Sequence, residues 1–106
     1  MSLSTHVLDA STGRPAVAVS VTLFDAGSTV LADGVTDADG RIKQLGAAQP
    51  VGNYRLSFDT GSYFAAQHTE AFYPEVSISF TVADADAHYH VPLLLSPFAY
   101  STYRGS

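Results

Sequence analysis

The chain has 106 residues, no cysteine, 46% apolar residues and a formal charge of −5. That length suits one domain over residues 1–106 with a single core, and the missing cysteines rule out a disulfide framework and thiolate chemistry. The five cations, Arg14, Arg41, Lys43, Arg55 and Arg104, are scattered along an acidic chain, which argues against nucleic-acid binding. The longest mostly apolar run, Val91 to Tyr100, is broken by Pro92, Ser96 and Pro97 and falls well short of the ~20 residues of a membrane span. Residues 1–6 contain no lysine, arginine or apolar block. No secretion signal or membrane association is therefore expected, and a cytoplasmic location is.

In chain order, Thr5 to Asp9 reads as a short strand with His6 and Leu8 on one face and Val7 on the other. Thr12-Gly-Arg-Pro15 is a turn. Val17 to Phe24 places Val17, Val19, Val21 and Leu23 opposite Ala18, Ser20 and Thr22, the alternation of a half-buried strand. Thr29 to Thr36 is a weaker strand interrupted by Gly34. Asp37-Ala-Asp-Gly40 is a tight turn leading into a strand over Arg41–Leu45, and Gly46 to Gly52 is a loop. Tyr54, Leu56 and Phe58 alternate with Arg55 and Ser57 as another strand.

Gly61 to Gln67 is the one helical stretch, with Tyr63, Phe64 and Gln67 able to share a face. Val76, Ile78, Phe80 and Val82 alternate with Ser77, Ser79 and Thr81, and Asp84-Ala-Asp86 turns the chain into a final hairpin bent at Ser96-Pro97. In the strand from His88 to Leu95, Tyr89, Val91, Leu93 and Leu95 form an apolar face, leaving His88, His90, Pro92 and Leu94 on the other. About eight short strands with a turn signal roughly every ten residues describe an all-β sandwich or barrel.

Two imidazoles beside a leucine and a proline make an odd surface for water alone to cover. His6, His88 and His90 could offer nitrogens to zinc, but spacing alone is a weak signal, and the favoured reading of each is a hydrogen-bonded surface or core histidine, with no metal expected. His68 reads as a residue at the C-terminal end of the helix. Asp37-Ala-Asp-Gly40 begins like a calcium loop but lacks the closing bidentate glutamate, so it is a turn that holds Arg41 at a strand start. No Gly-X-Ser-X-Gly elbow is present. If the chain is an enzyme, water is the expected nucleophile.

Several segments together resemble one family: Leu3-Ser-Thr-His-Val-Leu-Asp9, Gly13-Arg-Pro-Ala16, Thr36-Asp-Ala-Asp-Gly-Arg41, Phe72-Tyr-Pro-Glu-Val76, His88-Tyr-His-Val-Pro-Leu-Leu-Leu-Ser-Pro97 and Tyr103-Arg-Gly-Ser106. They are similar to the transthyretin-related proteins that act as 5-hydroxyisourate hydrolases, over essentially the whole chain. The departure is Ile42-Lys43-Gln44, where relatives commonly carry Cys-Pro. The resemblance implies a transthyretin-like two-sheet β-sandwich and a homotetramer whose sites lie at a dimer–dimer interface. It also implies that 5-hydroxyisourate, from urate breakdown in purine catabolism, is opened hydrolytically without metal or cofactor.

By matching position, the resemblance makes His6, Arg41 and His90 catalytic and Tyr103, Arg104, Gly105 and Ser106 substrate-binding. The chemistry suits the residue types. Opening a cyclic amide needs a proton acceptor for water, a donor for the developing oxyanion and a proton for the leaving nitrogen. Imidazoles supply the first and last and a guanidinium the second, with the terminal segment, including the Ser106 carboxylate, closing the pocket. The sequence leaves open whether His6 or His90 activates the water. A transthyretin-like small-ligand carrier is the alternative, and an immunoglobulin-like interaction module a more distant one.

Overall fold

The computed structural model describes all of residues 1–106. Nine strands and one helix follow in the order β1 (Ser2–Asp9), β2 (Arg14–Pro15), β3 (Ser20–Asp25), β4 (Val30–Val35), β5 (Arg41–Ile42), β6 (Gly52–Phe58), α1 (Thr60–Ala65), β7 (Val76–Val82), β8 (His88–Leu95) and β9 (Tyr100–Thr102). One sheet runs β2-β1-β8-β9 with β5 also paired to β1, and the other runs β4-β3-β6-β7. The result is the two-sheet β-sandwich expected of the alternating pattern.

The sheets meet through their apolar faces. Leu3 and Val7 of β1 and Tyr89, Val91, Leu93 and Leu95 of β8 pack against Val21, Leu23, Leu56, Phe58, Val76 and Val82 of the second sheet, all buried. Each fully buried side chain of this size contributes about 1.5–3 kcal/mol, so this seam dominates the stability of the fold. None of the helices is long and apolar enough to cross a membrane.

Four expected boundaries move, three where the chain meets a distant strand or the core and one, the helix, through its own cap. β1 begins at Ser2 rather than Thr5, because β8 runs parallel to it from Ser2↔His88 through Asp9↔Leu95. The strand expected from Val17 begins at Ser20. Ala18 adopts a positive φ of 64°, which lets Ala16 and Val19 both enter the core and leaves Val17 46% exposed. The strand expected over Arg41–Leu45 stops at Ile42, since Leu45 turns inward and donates its amide to the Leu3 carbonyl at 2.8 Å. The helix spans Thr60–Ala65 instead of Gly61–Gln67. Asp59 caps it by accepting from the Ser62 amide, and His68 follows in a left-handed conformation (φ 54°).

Asp9 ties the helix to the first sheet. Its Oδ2 accepts from the Tyr63 hydroxyl at 2.7 Å, and its Oδ1 accepts from the Ser11 amide at 3.0 Å and the Ser11 hydroxyl at 2.5 Å. Burial works to raise the Asp9 pKa, but these hydrogen bonds outweigh it and hold the carboxyl below its ordinary value of 3.8. The stabilisation is thus present above that value and lost as pH falls through the depressed pKa. Tyr63→Phe is expected to cost about 1.5 kcal/mol, the low end for a hydrogen bond to a charged group, read as a lower urea midpoint with an unchanged slope.

Candidate active site

The residues that carry chemistry lie on the outer face of the sheet containing β1 and β8. Because side chains alternate, Ser2, Ser4, His6 and Leu8 of β1 share a face, and the parallel register sets them beside His88, His90, Pro92 and Leu94. His6 and His90 therefore come together within a single chain, on neighbouring strands.

Arg41 is delivered by the Asp37–Gly40 turn. The Asp37 carboxylate accepts from the amides of Asp39 (2.9 Å) and Arg41 (3.0 Å), and the Gly40 amide donates to the Asp37 carbonyl at 2.9 Å. Those two backbone donors hold the Asp37 carboxyl below its ordinary range. Gly40 sits at φ +74°, and a Cβ there would collide with the Val7 carbonyl oxygen, so only glycine lets the turn lie this close to β1. β5 then pairs Arg41 with His6. The His6 Nε2–H donates to the Asp39 carbonyl at 2.9 Å, which leaves Nδ1 as that ring's acceptor.

His90 is held differently. Its Nδ1 lies 2.7 Å from the Ser4 hydroxyl, which also lies 2.8 Å from His88 Nε2, and His88 Nδ1 lies 2.5 Å from the Ser2 hydroxyl. Burial, followed by the charges of His6, His88 and Arg41, pushes the His90 pKa below its ordinary 6.5, while a hydrogen bond to the Ser4 backbone acts weakly the other way. His90 is consequently neutral at neutral pH, with Nε2 as its available nitrogen.

A cleft of about 240 Å³ opens here, lined by Ser4, Arg41, Lys43, His88, His90 and Ser106 among others. The C-terminal segment divides around His90. Gly105 bridges to it, its amide donating to the His90 carbonyl at 2.8 Å, and a Cβ on Gly105 would strike the His90 ring. Ser106 faces the histidine cleft, whereas Tyr103 and Arg104 line an adjoining hollow of about 340 Å³ with Tyr89, His90 and Phe80. The Arg104 guanidinium lies 4.5 Å from the centre of the Tyr89 ring. A larger hollow of about 420 Å³ on the other sheet contains no histidine. There Asp25 caps the amides of Gly27 and Thr29, and Arg55 stacks on Phe24. Its charged groups are occupied structurally.

The family model described as HIUase/Transthyretin family matches residues 3–105. The chain belongs to the HIUase/transthyretin family. It is 51% identical over 110 residues to the 5-hydroxyisourate hydrolase of Salmonella typhimurium, covering 98% of this chain and 80% of that protein. Among solved structures, Klebsiella pneumoniae 5-hydroxyisourate hydrolase superposes with a TM-score of 0.92 at 45% identity, each chain covered in full (100%). Transthyretin from Sparus aurata superposes with a TM-score of 0.90 at 36% identity, covering 97% of this chain and 95% of that one.

Two residues on this family face were missing from the sequence reading, Ser2 and Ser4. Starting the first strand at Thr5 hid them. The signal was the period-two run Ser2, Ser4, His6, which becomes visible once the strand is extended. No group of three His, Cys, Asp or Glu side chains is arranged to hold a metal ion.

Two measurements check this geometry. In an NMR titration the His90 ring should titrate below 6.5, and folding stability should fall as pH drops below 6.5, because the unfolded chain takes up that proton first. Gly105→Ala should displace the terminal segment from His90, seen as faster hydrogen exchange of the residue 105 amide while strand β1 amides keep their protection.

Proposed function

We propose that the chain, acting as one hydrolase domain, catalyses hydrolytic ring opening of 5-hydroxyisourate in urate degradation, giving a ureidoimidazoline. The observation that carries this reading is a neutral His90 with a free Nε2 beside Arg41 and His6, in a chain closely similar to two 5-hydroxyisourate hydrolases. His90 Nε2 takes a proton from water, and the resulting hydroxide adds to the amide carbonyl of the six-membered ring. Arg41, held by the Asp37 turn, orients the substrate and stabilises the oxyanion as a planar fork of donors. His6 Nδ1 accepts from a substrate N–H or from the water, fixing its approach. Breaking the ring carbon–nitrogen bond then needs a proton on the leaving nitrogen, supplied by an imidazole that now carries one. Ser106 and Gly105 border the cleft, and Tyr103 and Arg104 extend the binding surface past His90.

A homotetramer fits the same face. Leu8 and Leu94, paired in register and only half-buried, flank the histidines, and a second copy laid over them would shield the leucines from water. The transthyretin resemblance supports a carrier as the second reading. The cleft wall argues against it, because histidine, arginine, lysine and serine side chains suit a small polar heterocycle better than a large apolar ligand.

The deciding experiment follows the ultraviolet absorbance of freshly made 5-hydroxyisourate. The wild-type chain should accelerate its decay catalytically, and His90→Asn should lower the rate by ~10²–10⁴-fold with an unchanged oligomeric state. Saturable binding without turnover would favour the carrier, and near-normal turnover by His90→Asn would remove that residue from the mechanism.

A further inference from the structure

We propose that Ser4 and His88 form a proton relay behind His90, with Ser4 setting which His90 nitrogen carries hydrogen and exposed His88 holding the charge during turnover. The proposal rests on the reading of His90 as the base.

The relay follows from counting hydrogens. A serine hydroxyl has one hydrogen to donate. Ser4 Oγ lies within hydrogen-bond distance of both His90 Nδ1 (2.7 Å) and His88 Nε2 (2.8 Å), so it can donate to one ring while accepting from the other, and in the relay it does so. The two neutral rings are then locked together. In the first arrangement, His90 carries hydrogen on Nδ1 and donates to Ser4, Ser4 donates to His88 Nε2, and the His88 Nδ1–H donates to Ser2 Oγ at 2.5 Å. His90 Nε2 is then a lone pair facing the cleft. In the second, every hydrogen is shifted and His90 Nε2 carries one. The first arrangement offers the cleft a base; the second offers it an N–H, which becomes a proton donor when His88 carries the extra proton.

The surroundings of His90 give such a shift a purpose. Around it stand His6 on β1, Arg41 and Lys43 at β5, His88 on its own strand and Arg104 in the terminal segment. No aspartate or glutamate lines either adjoining hollow. Half-buried His90 has no side-chain carboxylate beside it to stabilise an imidazolium. His88 is exposed, so a positive charge moved there is solvated by water.

The protons balance over one turnover. Water gives a proton to His90 Nε2, and hydroxide adds to the carbonyl carbon. The Nδ1 hydrogen passes to Ser4 Oγ as the Ser4 hydrogen passes to His88 Nε2, leaving His90 neutral with hydrogen on Nε2 and His88 as the imidazolium. As the ring carbon–nitrogen bond breaks, the Nε2 hydrogen goes to the leaving nitrogen in concert with the reverse shift, in which His88 Nε2 returns its hydrogen to Ser4 Oγ and Ser4 passes its own to His90 Nδ1, so that both rings end neutral and no imidazolate forms. Ser4 acts through His90 and is a positioning residue.

The test combines ¹⁵N NMR of the histidine rings with kinetics on the full chain. In the wild type at pH 7.5, the His90 hydrogen should reside on Nδ1, as the first arrangement requires. Hydrogen found on Nε2 instead overturns the proposal without any variant being made. Ser4→Ala should release His90 to Nε2–H and lower kcat by about tenfold or more with little change in KM. Ser4→Thr, which keeps the hydroxyl, should restore most of the rate, and His88→Gln should lower kcat in the same way as Ser4→Ala. Ser4→Ala with wild-type kcat and an unchanged His90 tautomer overturns the relay, as does a loss that Ser4→Thr fails to rescue. If His90→Asn is inactive while Ser4→Ala is fully active, the relay alone fails. If His90→Asn is fully active, the reading of the base fails first.

Discussion

The parallel pairing of β1 with β8 is the constraint on which the rest of the structure depends. It joins residues 86 positions apart, as in the Ser4–His90 contact, and its register runs unbroken from Ser2↔His88 to Asp9↔Leu95. Since side chains alternate, one register sets two faces at once. Inward, it lines up Leu3 and Val7 with Tyr89, Val91 and Leu93 to build half of the core. Outward, it sets Ser4 against His90 and His6 two positions further along. A slip of one residue would bury the imidazoles and expose the leucines, so the hydrophobic seam that stabilises the sandwich also specifies the site.

Around this ladder, the site is assembled by short connections with little freedom. The Asp37 carboxylate, two backbone donors and a left-handed Gly40 hold the turn against the Val7 carbonyl, and Arg41 leaves that turn already paired with His6. At the other end, the Gly105 amide bonds to the His90 carbonyl, with no room for a side chain between them. Arg41 and the terminal segment therefore reach the imidazoles through backbone hydrogen bonds, which keep their positions better than long flexible side chains do.

The charged side chains of the cleft are all of one sign. Imidazoles, Arg41 and Lys43 line it with no aspartate or glutamate among them, although the chain as a whole carries a net charge of −5. Such a lining favours an electron-rich, oxygen-bearing heterocycle and disfavours protonation of His90. Both effects are what a general base at neutral pH would require, the role proposed for His90. The Ser4 hydroxyl stands behind His90 where no side-chain carboxylate does, and it adds no negative charge there.

Much of this was legible in the order of residues. Period-two alternation in Val76–Val82 and His88–Leu95 and turn residues at Asp37–Gly40 and Ser96–Pro97 were enough for an all-β sandwich, because pleat geometry and turn stereochemistry are local. Local pattern also put His88 and His90 on a face of their own and Arg41 immediately after a rigid turn. Where a core contact competed with local pattern, as at Val17, Ala18 and Leu45, the sequence reading missed the boundary. Only the tertiary structure decided that β1 lies parallel to β8, that Ser2 and Ser4 belong to the histidine face, and that Gly105 and Ser106 rather than Tyr103 stand next to the cleft. Those outcomes depend on register between distant segments, which is set by the summed burial of both faces and leaves no mark in any short stretch of the chain.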